Sequence, residues 1–429
     1  SQRVHLHPCG GARMKAADGS VMDYPSTKEE AWRYTPVDEI VSRLAAAATM
    51  PATGTSVSRQ VVDALAGDHG GPRLVFVNGV YDADLSDHDN VPAGLWCGLA
   101  DLSHGRAAAN VALAGIDWAV DGFLARNHAD GHDSAVVVVD PGVRIDVPVH
   151  VVHVSAPDNT GERADSATIS HPRTIIDVGS GSHIALIQTY CGLDGRAVTN
   201  ASTTIRVGRH AEVDHCRVQT ESTAATHIGH TRIEQEEGSR LRMISVTIGG
   251  DIARNAIDVH LHGPDAQTEL VGVNVTTGRQ RHDTVVTVDH AASRCASTQR
   301  FTGVIDDHGR GSFSGEIIVR PGTVATDAHQ SNRNLVLSPN AEADTRPWLQ
   351  ILADDVRCTH GATVGRLDDD ALFYLRSRGI PLDEARTMLI GAFIRDVTDA
   401  IPHPSLRTHV AAIIAASNGM VATDPERMR

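Results

Sequence analysis

Cys358 and His360 are separated by one residue in the phrase DDVRCTHGATVGRLDDDALFYLRSRG, residues 354–379. In an extended chain, side chains two positions apart leave the same face, so a thiolate and an imidazole here could share one metal ion. Cys9, Cys97, Cys191, Cys216 and Cys295 are spread through the sequence without a CxxC pair, so no zinc ribbon or dithiol redox motif is present. They read as small buried hydrophobes of a cytosolic chain.

The 24 histidines offer weaker alternatives. His227 and His230 are three apart, which sends them to opposite faces of a strand and makes chelation by the pair unworkable; they read as structural. His260 with His262, and His5 with His7, have the spacing for a shared face, and both read as weak candidates for a metal site. His282 and His290 flank a TVVTV run and suit the surface or hydrogen bonding between neighbouring strands. Asp306-Asp307 is the one paired carboxylate in a plausible β-helix position, and it reads as structural. No GxxxxGK[ST], no GxGxxG after a strand and no GxSxG occurs, so this chain is expected to bind no nucleotide and to be no enzyme.

The elements that must hold Cys358 and His360 change character around them. Leu349, Ile351 and Ala353 alternate as in a half-buried strand, and the alternation reaches Val356 and Cys358 only with a slip in register. After them Asp368 can cap a short helix carrying Leu372, Phe373 and Leu375, which Gly379 ends and Pro381 keeps from resuming. A longer helix from about Leu382 places Ala385, Met388, Leu389, Ala392, Phe393, Val397 and Ile401 in one apolar stripe, and a third is expected over Pro404–Ala416, with a frayed tail beyond.

Upstream, from about Ser134 to His360, short alternating strands are punctuated by Gly, Pro, Asn and Asp, with no convincing helix. The phrases GSHIALIQ, GRHAEVDHCRV, GSRLRMISVTIG and DAQTELVGVNV recur at intervals of about 27 to 30 residues, one coil of a β-helix. The first 133 residues mix helix with a hairpin centred on Asn78-Gly79, and a helix is expected over Ala107–Leu124, carrying Trp118 and Phe123. The KEEAWRYTP phrase gives a helical turn limited by Pro36, with Trp32 and Tyr34 as packing anchors. The organisation is therefore residues 1–133, a largely helical α/β unit; 134–366, a β-helix core; and 367–429, a helical unit. The fold class is mainly β.

Composition bounds the partners. A net charge of −15, with no Lys/Arg run interleaved with aromatics, argues against nucleic acid or an anionic membrane. The first residues lack an apolar core segment and no stretch approaches eighteen uninterrupted apolar residues, so the chain is expected to be cytoplasmic.

ADDVRCTHGATVGRLDDDALFYLRSRGIP, residues 353–381, resembles without a gap the segment where the SufD branch of the SufB/SufD family joins its β-helix to its C-terminal helices. That family supplies the paired scaffold subunits of the Suf iron–sulfur cluster assembly machinery. RFTGVIDDHGRGSFSGEIIV, TDAHQSNRNLVLS, AEADTRPWLQI and the E-x-W-R-Y-T-P phrase at Glu30–Pro36 are similar to the family too; Ala292, Thr302 and His308-Gly309 depart from its pattern. The resemblance implies a right-handed parallel β-helix, pairing with SufB, and a transient cluster shared with SufB at the interface and passed to apo-proteins. His360 matches the histidine implicated in nascent cluster assembly, and Cys358 is its neighbour. A cluster needs about four ligands, so the partner supplies the rest. The resemblance also makes the C-terminal unit the docking place of the SufC ATPase, through Leu372, Phe373, Met388, Leu389 and Phe393. Unpaired strands at the coil end would give a homodimer where SufB is absent. The rival reading is a secreted carbohydrate-active β-helix, a polysaccharide lyase or hydrolase.

Overall fold

A computed structural model describes residues 5–6, 12–15, 21–49, 57–88, 91–101, 107, 121–156 and 167–421. Two parallel sheets wind together as a β-solenoid of about seven turns. The first sheet runs from Leu95–Leu99, antiparallel to Ser134–Val139, to Arg310–Val319 and Glu342–Ile351; the second runs from the hairpin of Arg73–Val77 and Val80–Tyr81 to Thr326–Val336 and Val356–Gly365. From Ala197–Val207 onward successive coils are offset by 26 residues (Thr226 to Ile252) to 32 (Arg310 to Glu342), close to the period read from the sequence.

Alternation decides which side chains meet inside. Val213, Leu241, Leu270 and Phe301 from the second sheet and Ile205, Ile233, Val259, Val288 and Phe313 from the first form one continuous buried core. Part of the interior is polar. Arg217 Nη2 donates to His227 Nε2 at 2.6 Å, which leaves His227 Nδ1 to donate to Glu221 at 2.7 Å, with all three side chains buried. Burial pushes the Glu221 carboxyl up, but His227, Thr199 and Gln219 together pull it below its usual value.

The chain enters the solenoid through the hairpin. Asn78 and Gly79 both have positive φ, 50° and 81°, the geometry of a two-residue primed turn, and Phe76 pairs with Tyr81 across it. Arg73–Val77 then adds in parallel to Val149–Ser155, so the hairpin extends the second sheet. The helix expected over Ala107–Leu124 lies largely outside the described residues, Trp118 included; Asp121 is extended and caps a different helix, Gly122–Asp130, through the amides of Phe123 and Leu124. Phe123 and Trp32 stack at 5.2 Å, and the Arg254 guanidinium sits 3.7 Å from the Trp32 ring, so the WRYTP phrase packs onto the solenoid as its aromatics suggest.

Downstream, the outer face of the second sheet is apolar at Cys216, Val218, Ile244, Val246, Val271, Val273 and Val304, and the helices Leu382–Ala400 and Pro404–Val421 cover it. The buried stripe of the longer helix is Ala385, Ile390, Ile394 and Val397, rotated from the expected one: Met388 is 48% exposed and Ala392 is exposed. The outer face of the sheet selects the side of the helix that carries β-branched Ile and Val. The last helix continues to Val421, five residues past the expected end. Asp368 caps the short helix Asp369–Ser377 at the amides of Asp370 and Ala371, and Gly379 follows with φ 85°. No described helix is long and apolar enough to cross a membrane.

Candidate functional site

The slip in register before Cys358 is a corner. Glu342–Ile351 ends the first sheet, the chain turns through 352–355, and Val356–Gly365 ends the second. Each strand is hydrogen-bonded to a neighbour on one side only, so the solenoid finishes with two open edges side by side.

Register then orients the side chains. Cys358 is paired with Ala328 and His360 with Gln330, whose side chains are buried in the interior, while the intervening Thr359 is paired with exposed His329. Cys358 and His360 therefore occupy the inward-facing file of the last strand, at the mouth of the solenoid, as their spacing predicts. They differ in what surrounds them. Cys358 is half-buried against Ile317, Val319, Ala328, Leu349 and Val356; burial first, then the Asp327 carboxylate, pushes its thiol up. His360 is exposed and makes no side-chain hydrogen bond among the described residues. The mouth thus presents a free imidazole, whose neutral nitrogen can ligate iron, beside a thiol that holds its proton until a cation displaces it.

Around the mouth, Trp348 on the neighbouring open strand is 48% exposed and Val364 is exposed. On the C-terminal unit, Phe373 is 75% exposed, whereas Leu372, Leu389 and Phe393 are half-buried and Phe393 lies under Arg333 at 4.8 Å.

The remaining sequence candidates fall elsewhere. Cys97, Cys191, Cys216 and Cys295 are buried, and burial pushes the Cys97 thiol up to about 11 and that of Cys216 to about 12; Cys9 lies outside the described residues. His227 and His230 do face opposite sides, one against Glu221 and the other 2.7 Å from Asp258. His260 and His262 share a face with rings 5.7 Å apart, and a carboxylate from the adjacent coil, Glu234, bonds to His262. His282 and His290 are buried, not at the surface: inward positions take them into the core, where Thr276 and the Gly250 carbonyl bond to His282 and Ser297 bonds to His290. His7 lies outside the described residues. Asp306 and Asp307 hold a solenoid corner, with Asp307 accepting from the Gly278 amide and Asp306 from the Asp307 amide. Among the described residues, no group of three or more His, Cys, Asp or Glu side chains is arranged to hold a metal ion.

Residues 160–393 match the family model for the SUF system FeS cluster assembly SufBD core domain, more than half of the sequence. The chain belongs to the SufBD family. Relatives agree over nearly their full lengths. The iron–sulfur cluster assembly protein SufD of Escherichia coli is 30% identical over 91% of this chain and 88% of its own. A SufBD family protein of Synechocystis is 31% identical over 92% and 88%, and the chloroplastic protein ABCI7 of Arabidopsis thaliana is 30% identical over 90% and 80%. The SufBD match takes in the whole mouth, Cys358 and His360 included. The protein is thus a SufD homologue of an iron–sulfur cluster assembly family.

Two features of the mouth escape local sequence reading. Gln330 and Gln299 lie below His360 in the same inward file, roughly 30 and 60 residues upstream, and only the coil period links them to it. Trp348 falls on the outer face of its strand, where a short apolar alternation gives no sign that the neighbouring position is empty.

Proposed function

We propose that this chain is the SufD-type scaffold subunit of a cytoplasmic Suf assembly: it pairs with SufB through the open end of the solenoid, carries the SufC ATPase on its C-terminal helices, and helps build a nascent iron–sulfur cluster that is passed to apo-proteins. The observation that carries the reading is the placing of His360 and Cys358 together on the inward file of an unpaired terminal strand. A partner strand added to that edge brings its own side chains over the mouth. The cluster is cargo, held briefly by a site that one chain cannot complete, because four ligands are wanted and this mouth offers two.

His360 contributes a neutral nitrogen donor. Cys358 contributes a thiolate only after iron lowers its proton affinity, since its surroundings favour the neutral thiol. The chain itself is a non-catalytic subunit, and ATP hydrolysis belongs to SufC. Exposed Phe373 and Met388, with half-buried Leu372, Leu389 and Phe393 beside them, form an apolar surface on the C-terminal unit that suits an ATPase groove. Without SufB, the same open edges favour a homodimer. Co-expression with SufB and SufC, followed by mass measurement of the purified assembly, tests the reading: a complex containing all three chains is expected, and recovery of this chain always alone would overturn it.

A further inference from the structure

We infer that Gln330 is the positioning residue of His360: its buried carboxamide takes the hydrogen bond of one imidazole nitrogen and so fixes which nitrogen is left bare toward the mouth. The inference rests on the reading of His360 as an iron ligand.

Gln299, Gln330 and His360 occupy matched positions on three successive strands of the second sheet, Ala296–Ile305, Thr326–Val336 and Val356–Gly365. Between the first two an amide ladder is already built: Gln330 Nε2 donates to Gln299 Oε1 at 2.9 Å. Stacked amides in parallel, in-register strands repeat such a bond from rung to rung, each donor meeting the carbonyl of the rung before it. The next rung holds no amide. It holds His360, whose ring N–H can continue the file.

The acceptor is waiting for it. Gln330 is 3% exposed, and its Oε1 has no hydrogen-bond partner, an arrangement that is costly for a buried polar atom. The ladder geometry is itself provided for. A side chain at Gly315, on the facing sheet, would come within 2.1 Å of Gln330 Nε2, so glycine there leaves the carboxamide its room. His360 is exposed with no hydrogen bond to give up, and turning the ring inward costs little. Once one nitrogen donates to Gln330, the ring is held in one tautomer and orientation, with the other nitrogen's lone pair directed at the edge where a partner would add. This is the role that carbonyl acceptors play behind ligating imidazoles, where their loss costs roughly 10- to 100-fold in metal affinity.

The test uses the full chain and two variants. Gln330→Leu keeps volume and removes the acceptor; Gln330→Glu keeps an acceptor oxygen. Nitrogen-15 spectra of histidine-labelled protein, with His360 assigned by its loss in His360→Ala, report the tautomer without any iron present. One dominant tautomer is expected in wild type and in Gln330→Glu, with a mixture in Gln330→Leu. In the co-expressed complex, iron bound by Gln330→Leu is expected to fall about tenfold or more, and Gln330→Glu to recover most of it. Thermal melts within a few degrees of wild type separate this from unfolding; should Gln330→Leu not fold, Gln330→Asn, which withdraws the acceptor by one methylene, takes its place. An unchanged tautomer in the variant lacking the acceptor overturns the positioning role. A changed tautomer with full iron in Gln330→Leu, while His360→Ala loses iron, overturns it as well. Full iron in both Gln330→Leu and His360→Ala overturns instead the reading of His360 as a ligand.

Discussion

Arg254 Nη1 lies 2.5 Å from Asp283 Oδ2, both side chains are buried, and Thr35 bonds to each of them. This pair ties the WRYTP phrase to the solenoid wall, with Trp32 stacked over the same guanidinium. Breaking one partner strands the other charge in a dry site. Arg254→Ala is expected to cost about 3–5 kcal/mol of unfolding free energy. The double replacement Arg254→Met with Asp283→Leu is expected to recover much of that, because no lone charge remains. Urea melts of the two variants check it, and a single variant within about 1 kcal/mol of wild type would remove the clamp from the account.

Stability should fall on acidification well before the carboxylates titrate. Burial holds His69, His282 and His290 down to about 4 and His153, His171 and His215 to about 3. An unfolded imidazole takes its proton near 6.5, so between about 6.5 and 4 the unfolded chain binds more protons than the native one. The sign follows: the native state loses stability as pH drops through that window, by roughly 1.4 kcal/mol per pH unit for each such histidine. Unfolding free energies at pH 7.5, 6 and 5 measure the slope; a flat profile would contradict this.

The C-terminal unit separates folding from docking. Ile394 is buried between the longer helix and the outer sheet face, and Ile394→Ala is expected to destabilise by about 2–4 kcal/mol. Phe373→Ser with Met388→Ser removes exposed side chains and should leave the melt nearly unchanged while weakening capture of SufC. Undiminished capture by this double variant would sink the assigned docking surface.

Purified without partners, the chain is expected to sediment as a dimer at micromolar concentration. Trp348→Glu with Val364→Lys places charge at both open strands and should give a monomer with an unchanged melt. A wild-type chain that stays monomeric would rule out edge pairing.

Much of this fold is legible locally. Strand alternation, the Asn78-Gly79 turn and the Asp368 cap each depend on residues within a few positions, and each stands where the residue types put it. The coil period is half hidden. One corner of every coil needs a residue in the left-handed region, and Gly181 and Gly238 announce it, but His210, Asp265, Arg294 and Ala325 fill the same corner with φ between 54° and 62° for these four plus Gly238. The helical stripe is legible only in part: Met388 and Ala392 have the spacing to be buried, but the outer face of the sheet, which strand alternation does not mark, takes Ile390, Ile394 and Val397 instead. The shared face of Cys358 and His360 was readable from their spacing; the Gln330 beneath His360 was not, because the neighbour lies one coil away. The same lateral stacking supplies Glu234 to His262.

The central claim is that the open end of the solenoid holds an iron ligand. Its most direct measurement is the iron and sulfide content, with the visible absorbance, of the co-expressed SufB–SufC complex carrying His360→Ala, read beside Cys358→Ala and thermal melts of both. His360 is exposed, so its replacement should leave the melt unchanged and cut cluster content about tenfold or more. Cys358 packs against Ile317 and Val319, so its replacement lowers the melt slightly, and it joins His360 in losing iron only if both are ligands. A His360→Ala complex that loads iron and sulfide like wild type would contradict the account.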